Sequence, residues 1–202
     1  MVREIRLYIE GAPELRRGFR GFLAGLEENA RRRKCRWEIV LCGSRSSTYD
    51  AFQFALRTHP KALNILLVDA EWPVIKTPRE HLSAPKGDAW DLSAVADEQC
   101  HLMTQAMEAW FLADIDALRK YYGQGFQAGA LPGREKVEEI PKVDLAPSLE
   151  NATRRTQKGK YDKIRHAPQI LERLDPGKVR DRASHCERLF ITIEQQLSTE
   201  GA

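Results

Sequence analysis

"RLYIEGAPELRRGF", residues 6–19, sets the architecture of this chain. An apolar run ends at Glu10-Gly11. Pro13 then opens a segment in which Leu15, Phe19, Phe22, Leu23 and Leu26 recur at helical spacing. Proline is favoured in a first helical turn, where its missing N–H costs nothing, and glycine lets the backbone turn sharply. The stretch reads as a strand, a tight corner and a helix. Two further apolar runs, "RWEIVLC" (36–42) and "LNILLVD" (63–69), share the composition of the first, "IRLYI" (5–9). Runs rich in β-branched residues and leucine suit strands that are covered on both faces. Between them "SSTYDAFQFALRTH" reads as a helix, with N-cap candidates from Ser46 to Thr48.

Alternating strands and helices predict an α/β fold with a parallel sheet. A fourth strand is expected in "QCHLMTQ" (99–105), with a single long helix from Asp97 as the competing reading. A helix through "MEAWFLADIDALRKYY" follows. Residues 70–96, rich in Pro and turn formers, predict a long loop beside the strand ends, a common place for function. From residue 142 onward "DLAPSLENATRRTQ", "IRHAPQILERLD" and "VRDRASHCERLFITIEQQL" read as helices. Residues 1–141 are thus expected to form an α/β unit of about four strands with flanking helices. Residues 142–202 form a helical, basic extension packed on the same domain.

With 42% hydrophobic and 30% charged residues in 202, the composition is that of a globular chain with one sizeable core. No apolar stretch approaches the roughly 18–20 residues of a membrane span, and "MVREIRLYIEG" lacks the features of a signal peptide. The four cysteines are scattered without a CxxC pair, as expected of reduced thiols in a cytoplasmic protein, and match no zinc spacing. A phosphate-cradling loop and a GxSxG nucleophile elbow are both missing, so nucleotide-binding and serine-hydrolase readings rank last. Net charge is +3, but residues 142–188 carry twelve Lys and Arg against seven Asp and Glu, a local net of +5. Such a tract suits a polyanion such as nucleic acid, and equally a solvated helical surface.

Carboxylates gather where an open parallel sheet binds its ligands, beyond the carboxyl ends of the strands. Glu10 ends the first strand and Asp69 the third. Glu71, two residues on, projects to the same side as Asp69 in extended chain, and Glu14 lies in the first helical turn after Gly11. Crowded carboxylates repel, so their convergence implies a cation. Oxygen-only ligands select a hard ion, Mg²⁺ or Mn²⁺. Among the aromatics, Trp110 falls on an apolar stripe with Met103, Met107 and Phe111 and is expected in the core. Trp72, directly after Glu71, is placed to stack a base or to pack locally.

"LYIEGAPE" and "LLVDAE" resemble the Glu-Gly and Asp-x-Asp signature elements of the Toprim fold of topoisomerases, primases and OLD-type nucleases. The Glu-Gly-x-x-Glu form in particular resembles the OLD-type nucleases. "MEAWFLAD", "IPK" and "GKYDKIRHAPQIL" are similar to a Toprim-like bacterial family of unknown function, whose genes often stand beside an AAA- or ABC-type ATPase gene. The resemblance covers nearly the whole chain. It implies a Toprim-like Rossmannoid sheet with Glu10, Glu14, Asp69 and Glu71 as metal ligands, and Glu108 as a further catalytic glutamate. Asp-Ala-Glu in place of Asp-x-Asp is a departure, which leaves the number of ions, one or two, open.

The expected activity is Mg²⁺- or Mn²⁺-dependent cleavage of phosphodiester bonds in DNA or RNA, with antiphage defence or a stress response linked to an ATPase as the setting. The alternative is a non-catalytic Toprim-like subunit that binds a partner ATPase or nucleic acid. Lys163 is the expected cation for transition-state charge. Lys142, Arg154, Arg155, Lys160 and Arg165 join it as expected phosphate contacts. No membrane association is expected, and an oligomer is compatible with every part of this reading.

Overall fold

The computed structural model describes residues 2–198. Four parallel strands, β1 (Glu4–Ile9), β2 (Arg36–Leu41), β3 (Leu63–Asp69) and β4 (Cys100–Met103), form one sheet in the order β2-β1-β3-β4. Side chains alternate across a strand, and the two faces of the sheet follow from that. Ile5, Leu7, Ile9, Ile65, Leu67 and Met103 face one core, and Tyr8, Leu66, Val68, Cys100 and Leu102 face another. The continuous apolar runs of the sequence are the consequence of this double burial. The second core is completed by Phe52 and Ala55 of α3 (Arg45–Thr58) and by Leu82, Leu92 and Val95.

The first face is covered by α1 (Arg16–Phe22), α2 (Ala24–Arg32), α5 (Glu108–Ala113) and α6 (Ile115–Tyr122). The helices after residue 141 join the same core. They are α7 (Lys142–Thr153), α8 (Lys163–Leu171), α9 (Pro176–Arg182) and α10 (Ser184–Ser198), which contribute Leu145, Ile170, Leu171, Val179 and Ile193 among others. The basic C-terminal region therefore shares its apolar interior with the sheet. Trp110 is fully buried there, stacked on Phe22 with ring centroids 5.1 Å apart.

Three helices expected as single pieces are broken. The first is a 3-10 turn (Pro13–Leu15) followed by α1 and α2, which meet at Leu23. The segment 107–122 divides at Asp114, whose carboxylate accepts the Ala117 N–H at 3.2 Å and so caps α6 instead of continuing α5. The last divides at Ala183. Apolar periodicity runs through all three breaks, because both pieces bury the same side. The fourth strand forms, two residues shorter than the apolar run at its C-terminal end and one at its start. Its outer edge is closed by Arg188 of α10, which donates to the Cys100 carbonyl at 2.7 Å and pairs with Asp97 at 2.7 Å. That contact protects backbone groups an edge strand would otherwise expose. The loop after β3 holds one short helix, α4 (Pro78–Leu82), started by a Thr77–Glu80 capping box.

Close approach of α1 to α8 depends on Gly18. A β-carbon there would lie 2.7 Å from the Pro168 carbonyl oxygen and 3.0 Å from Leu171 Cβ. At Gly25 in α2 a β-carbon would meet nothing within 4 Å. The same substitution should therefore have opposite signs at the two sites. Gly25→Ala gains helix propensity, up to about 1 kcal/mol, and raises Tm. Gly18→Ala loses about 1–3 kcal/mol to overpacking and lowers Tm by several degrees. Thermal unfolding of the two variants beside the parent chain checks the pair.

Candidate metal centre

β1 and β3 are hydrogen-bonded neighbours, with Ile9 opposite Leu67, so Glu10 and Asp69 leave the same edge side by side. Gly11, at φ 141°, turns the chain away and exchanges backbone hydrogen bonds with Gly43 after β2. Beyond Asp69 the backbone N–H groups of Ala70 and Glu71 donate to the Met103 and Gln105 carbonyls, each at 2.9 Å. That pairing holds Glu71 in a left-handed conformation (φ 71°) and returns its side chain to the strand ends. One carboxylate oxygen from each of Glu10, Asp69 and Glu71 lies within 4.8 Å of the others. Opposite ligands of an octahedral Mg²⁺ at about 2.1 Å stand roughly 4.2 Å apart. The three oxygens are thus within a small side-chain adjustment of holding a hard cation, and the donor set is the right one.

The trio is embedded in hydrogen bonds. Glu10 Oε2 accepts the Asp69 N–H at 3.1 Å and the Arg45 guanidinium at 3.2 Å. Asp69 Oδ1 accepts the Met107 N–H at 2.8 Å, at the start of α5, while Oδ2 lies 3.8 Å from Lys163 Nζ. Lys163 also pairs with Glu108 at 3.1 Å, and the Tyr161 hydroxyl donates to the same carboxylate at 3.2 Å. Glu71 pairs with Lys142 at 2.5 Å. Three cations from three helices thus meet the acids at one sheet edge.

Burial pushes the Asp69 carboxyl up to about 7; Lys163 opposes the rise, and the charges of Glu108 and Glu10 add to it. Glu10 is raised by burial, against the pull of Arg45. For Lys163 burial favours the neutral amine, but Glu108 and Asp69 outweigh it and hold the ammonium form. A cation bound there would take the ionised carboxylates and so displace the Asp69 proton, which makes any metal affinity rise with pH.

Glu14 does not join the group. It stands exposed on the 3-10 turn, where the adjacent Leu15 is turned into the core, and lines a surface cleft with Arg16, Arg17 and Glu172. The turn starts too far from the strand end, and rotates Glu14 away from Glu10. The basic tract is largely spent on the fold. Lys160 pairs with Glu150, Lys178 with Asp114 and Asp116, Arg180 with Glu187 and Glu194, and Arg182 donates to four backbone carbonyls. Arg154 and Arg155 are exposed and have no ion pair among the described residues, and Arg165 is exposed beside the Lys158 carbonyl.

Arg45 and Asp88 are members of the site that sequence reading did not single out. Arg45 opens α3 after the Ser44 N-cap, bonds Glu10 and the Asp69 carbonyl, and makes a two-pronged pair with Asp88 at 2.7 Å and 2.7 Å. Its position just past the end of β2, on the same edge as Glu10, was a usable signal. Asp88, inside a turn-rich loop, carried none.

The chain belongs to the family defined by DUF4276, a domain of unknown function, whose model matches residues 19–194. No curated protein and no solved structure matches the chain. No helix among the described residues is long and apolar enough to cross a membrane.

Because the folded-state pKa of Asp69 lies above the ordinary carboxylate value, its ionisation weakens the metal-free fold as pH rises from about 4 to about 7. In chelator at about pH 8, Asp69→Asn should melt a few degrees above the parent chain, the gap closing toward pH 5. Millimolar Mg²⁺ or Mn²⁺ should raise Tm for the parent by mass action, more at pH 8 than at pH 6, and leave Asp69→Asn unmoved. Calorimetric scans across pH, with and without metal, read all of these shifts.

Proposed function

We propose that this member of the DUF4276 family is a divalent-metal-dependent nuclease with a Toprim-like site. The observation that carries the reading is the convergence of Glu10, Asp69 and Glu71 at adjoining strand ends, with the Lys163 ammonium beside Asp69. Bound there, Mg²⁺ or Mn²⁺ would supply Lewis-acid stabilisation and an activated water for phosphodiester hydrolysis.

The residues of the site divide the work in this proposal. Glu10, Asp69 and Glu71 hold the ion. Glu108 and the Tyr161 hydroxyl fix the position of Lys163, whose stem crosses to Asp69. Half of the Lys163 side chain is exposed, so its ammonium group can meet an incoming phosphate as well as the acids. Arg45 neutralises Glu10 and ties the strand end to the following loop through Asp88. Lys142, paired with Glu71 and more than a third exposed, has to leave that carboxylate when an ion enters, and is then free to bind phosphate.

One observation favours a second reading, a non-catalytic subunit that binds nucleic acid or a partner ATPase. Arg45, Lys142 and Lys163 already compensate the acids pairwise, as in a structural ion-pair network. Activity against DNA and RNA with added Mg²⁺ or Mn²⁺ separates the two readings.

For the nuclease, Lys163→Ala should lower turnover by about 10²–10³ with little change in KM, the usual size of one donor aimed at transition-state charge. Glu10→Gln should remove activity and the metal-induced rise in Tm together. An unaltered Lys163→Ala rate would remove that residue from the mechanism. Charge reversal of Arg154 and Arg155 should weaken binding to all sequences and flatten the salt dependence by about two phosphate contacts. An unchanged slope in a salt titration would assign the pair to solvent.

A further inference from the structure

Six large apolar side chains are exposed among the described residues, two of them, Phe54 in α3 and Ile191 in α10, away from the site in sequence. Of the large hydrophobic residues left exposed, Trp72 (37%), Val143 (78%) and Ile164 (73%) each follow directly after a residue of the site: Glu71, Lys142 and Lys163. Ile75 (89%) lies three residues beyond Trp72 in the same loop. Consecutive residues on a helix diverge by about 100°. Val143 and Ile164 therefore point away from Lys142 and Lys163 by about a quarter turn, exposed on the first turns of α7 and α8. At the head of both helices a cation of the site is followed in sequence by an exposed apolar side chain.

Trp72 is also held in place. Its ring lies 4.8 Å from that of His81, tilted by 31°. The buried His81 is in turn fixed by a 2.9 Å hydrogen bond between Nε2 and the Ala70 carbonyl. Gly87 makes room for the indole, since a β-carbon there would lie 2.7 Å from Trp72 Cζ2. Asp88, the next residue, is clamped by Arg45. A tryptophan packed against His81 and Gly87 and still more than one-third exposed is a surface whose ordering cost is already largely met.

We propose that Trp72 is a stacking platform for an unpaired nucleobase, so that the ligand of this rim is a single-stranded polynucleotide. The inference rests on the nuclease reading for its choice of ligand chemistry. Duplex backbones present only charge to a rim and keep their base faces stacked inside. An unpaired strand presents phosphate and an apolar base face in alternation, which matches the paired cations and apolar groups here. Lys142 and Lys163 receive phosphate while the indole receives the neighbouring base.

The test is fluorescence anisotropy with labelled oligothymidylate, oligouridylate and a blunt DNA duplex of equal length, in Ca²⁺ and again in chelator. Unpaired DNA, unpaired RNA or both should bind more tightly than the duplex. Trp72→Ala should weaken strand binding about tenfold or more, and Trp72→Phe should stay within about threefold of the parent. Gly87→Ala, which keeps the indole but displaces it, should weaken binding in the same direction. Thermal melts establish that each variant is folded. Equal binding of duplex and strand, or no effect of Trp72→Ala in a folded protein, overturns the proposal. A metal-induced rise in Tm without any strand binding overturns it too, and leaves the metal site standing. Trp72-dependent strand binding in chelator, without a metal response, supports the platform while the nuclease reading fails.

Discussion

Carboxylates crowded at one edge of a parallel sheet are the constraint on which the rest of this molecule turns. Glu10, Asp69 and Glu71 approach one another within 4.8 Å, and Glu108 lies close behind Asp69 through their shared lysine. Like charges at that range repel where water is scarce, and Asp69 is raised first by its burial and then by the charges of Glu108 and Glu10, against Lys163. The fold answers with one cation from each of three helices: Arg45 at the start of α3, Lys142 at the start of α7 and Lys163 at the start of α8. Each stands at a helix N-terminus, where the macrodipole disfavours a positive charge. Their ion pairs with the acids oppose that cost.

Bringing Lys163 to Asp69 spans ninety-four residues of sequence, and packing does the work. Gly18 lets α8 settle against α1, Ile170 and Leu171 enter the core beneath the sheet, and the lysine at the head of α8 is carried to the strand end. Tyr161, buried two residues earlier in the chain, then fixes the lysine through Glu108. The helices after residue 141 are part of the site for this reason, and the sheet alone would hold an uncompensated cluster of acids.

The loop after β3 is tied down at both of its functional ends. His81 returns to the Ala70 carbonyl, and Asp88 to Arg45, with Trp90 stacked on Tyr49 below the same guanidinium. A segment rich in turn residues would otherwise carry a large conformational entropy. Here two polar contacts and a ring stack hold the loop, with Trp72 packed against His81 directly after Glu71 in the chain.

Strand positions, the parallel sheet and the meeting of Glu10, Asp69 and Glu71 were legible in the amino-acid sequence. Apolar runs buried on both faces, a Gly corner after a strand and acids at strand ends are local rules. Glu71, however, reaches the group through a left-handed backbone held by the Gln105 carbonyl and not through the extended chain expected. Asp114, Leu23 and Ala183, which break helices, were not legible, because the apolar stripe continues across each break. Glu14 looked like a ligand by spacing alone; the 3-10 turn before α1 rotates it to solvent. The basic tract suited a polyanion and a solvated surface equally, and tertiary packing divides it. Lys142, Lys163, Lys178 and Arg188 pair with acids distant in sequence, while Arg154 and Arg155 stay exposed. Composition determined which charges and apolar runs were present. Only the tertiary structure decided which charges were spent on the fold and which were left at the site, because ion pairing is set by distance in space and not by order along the chain.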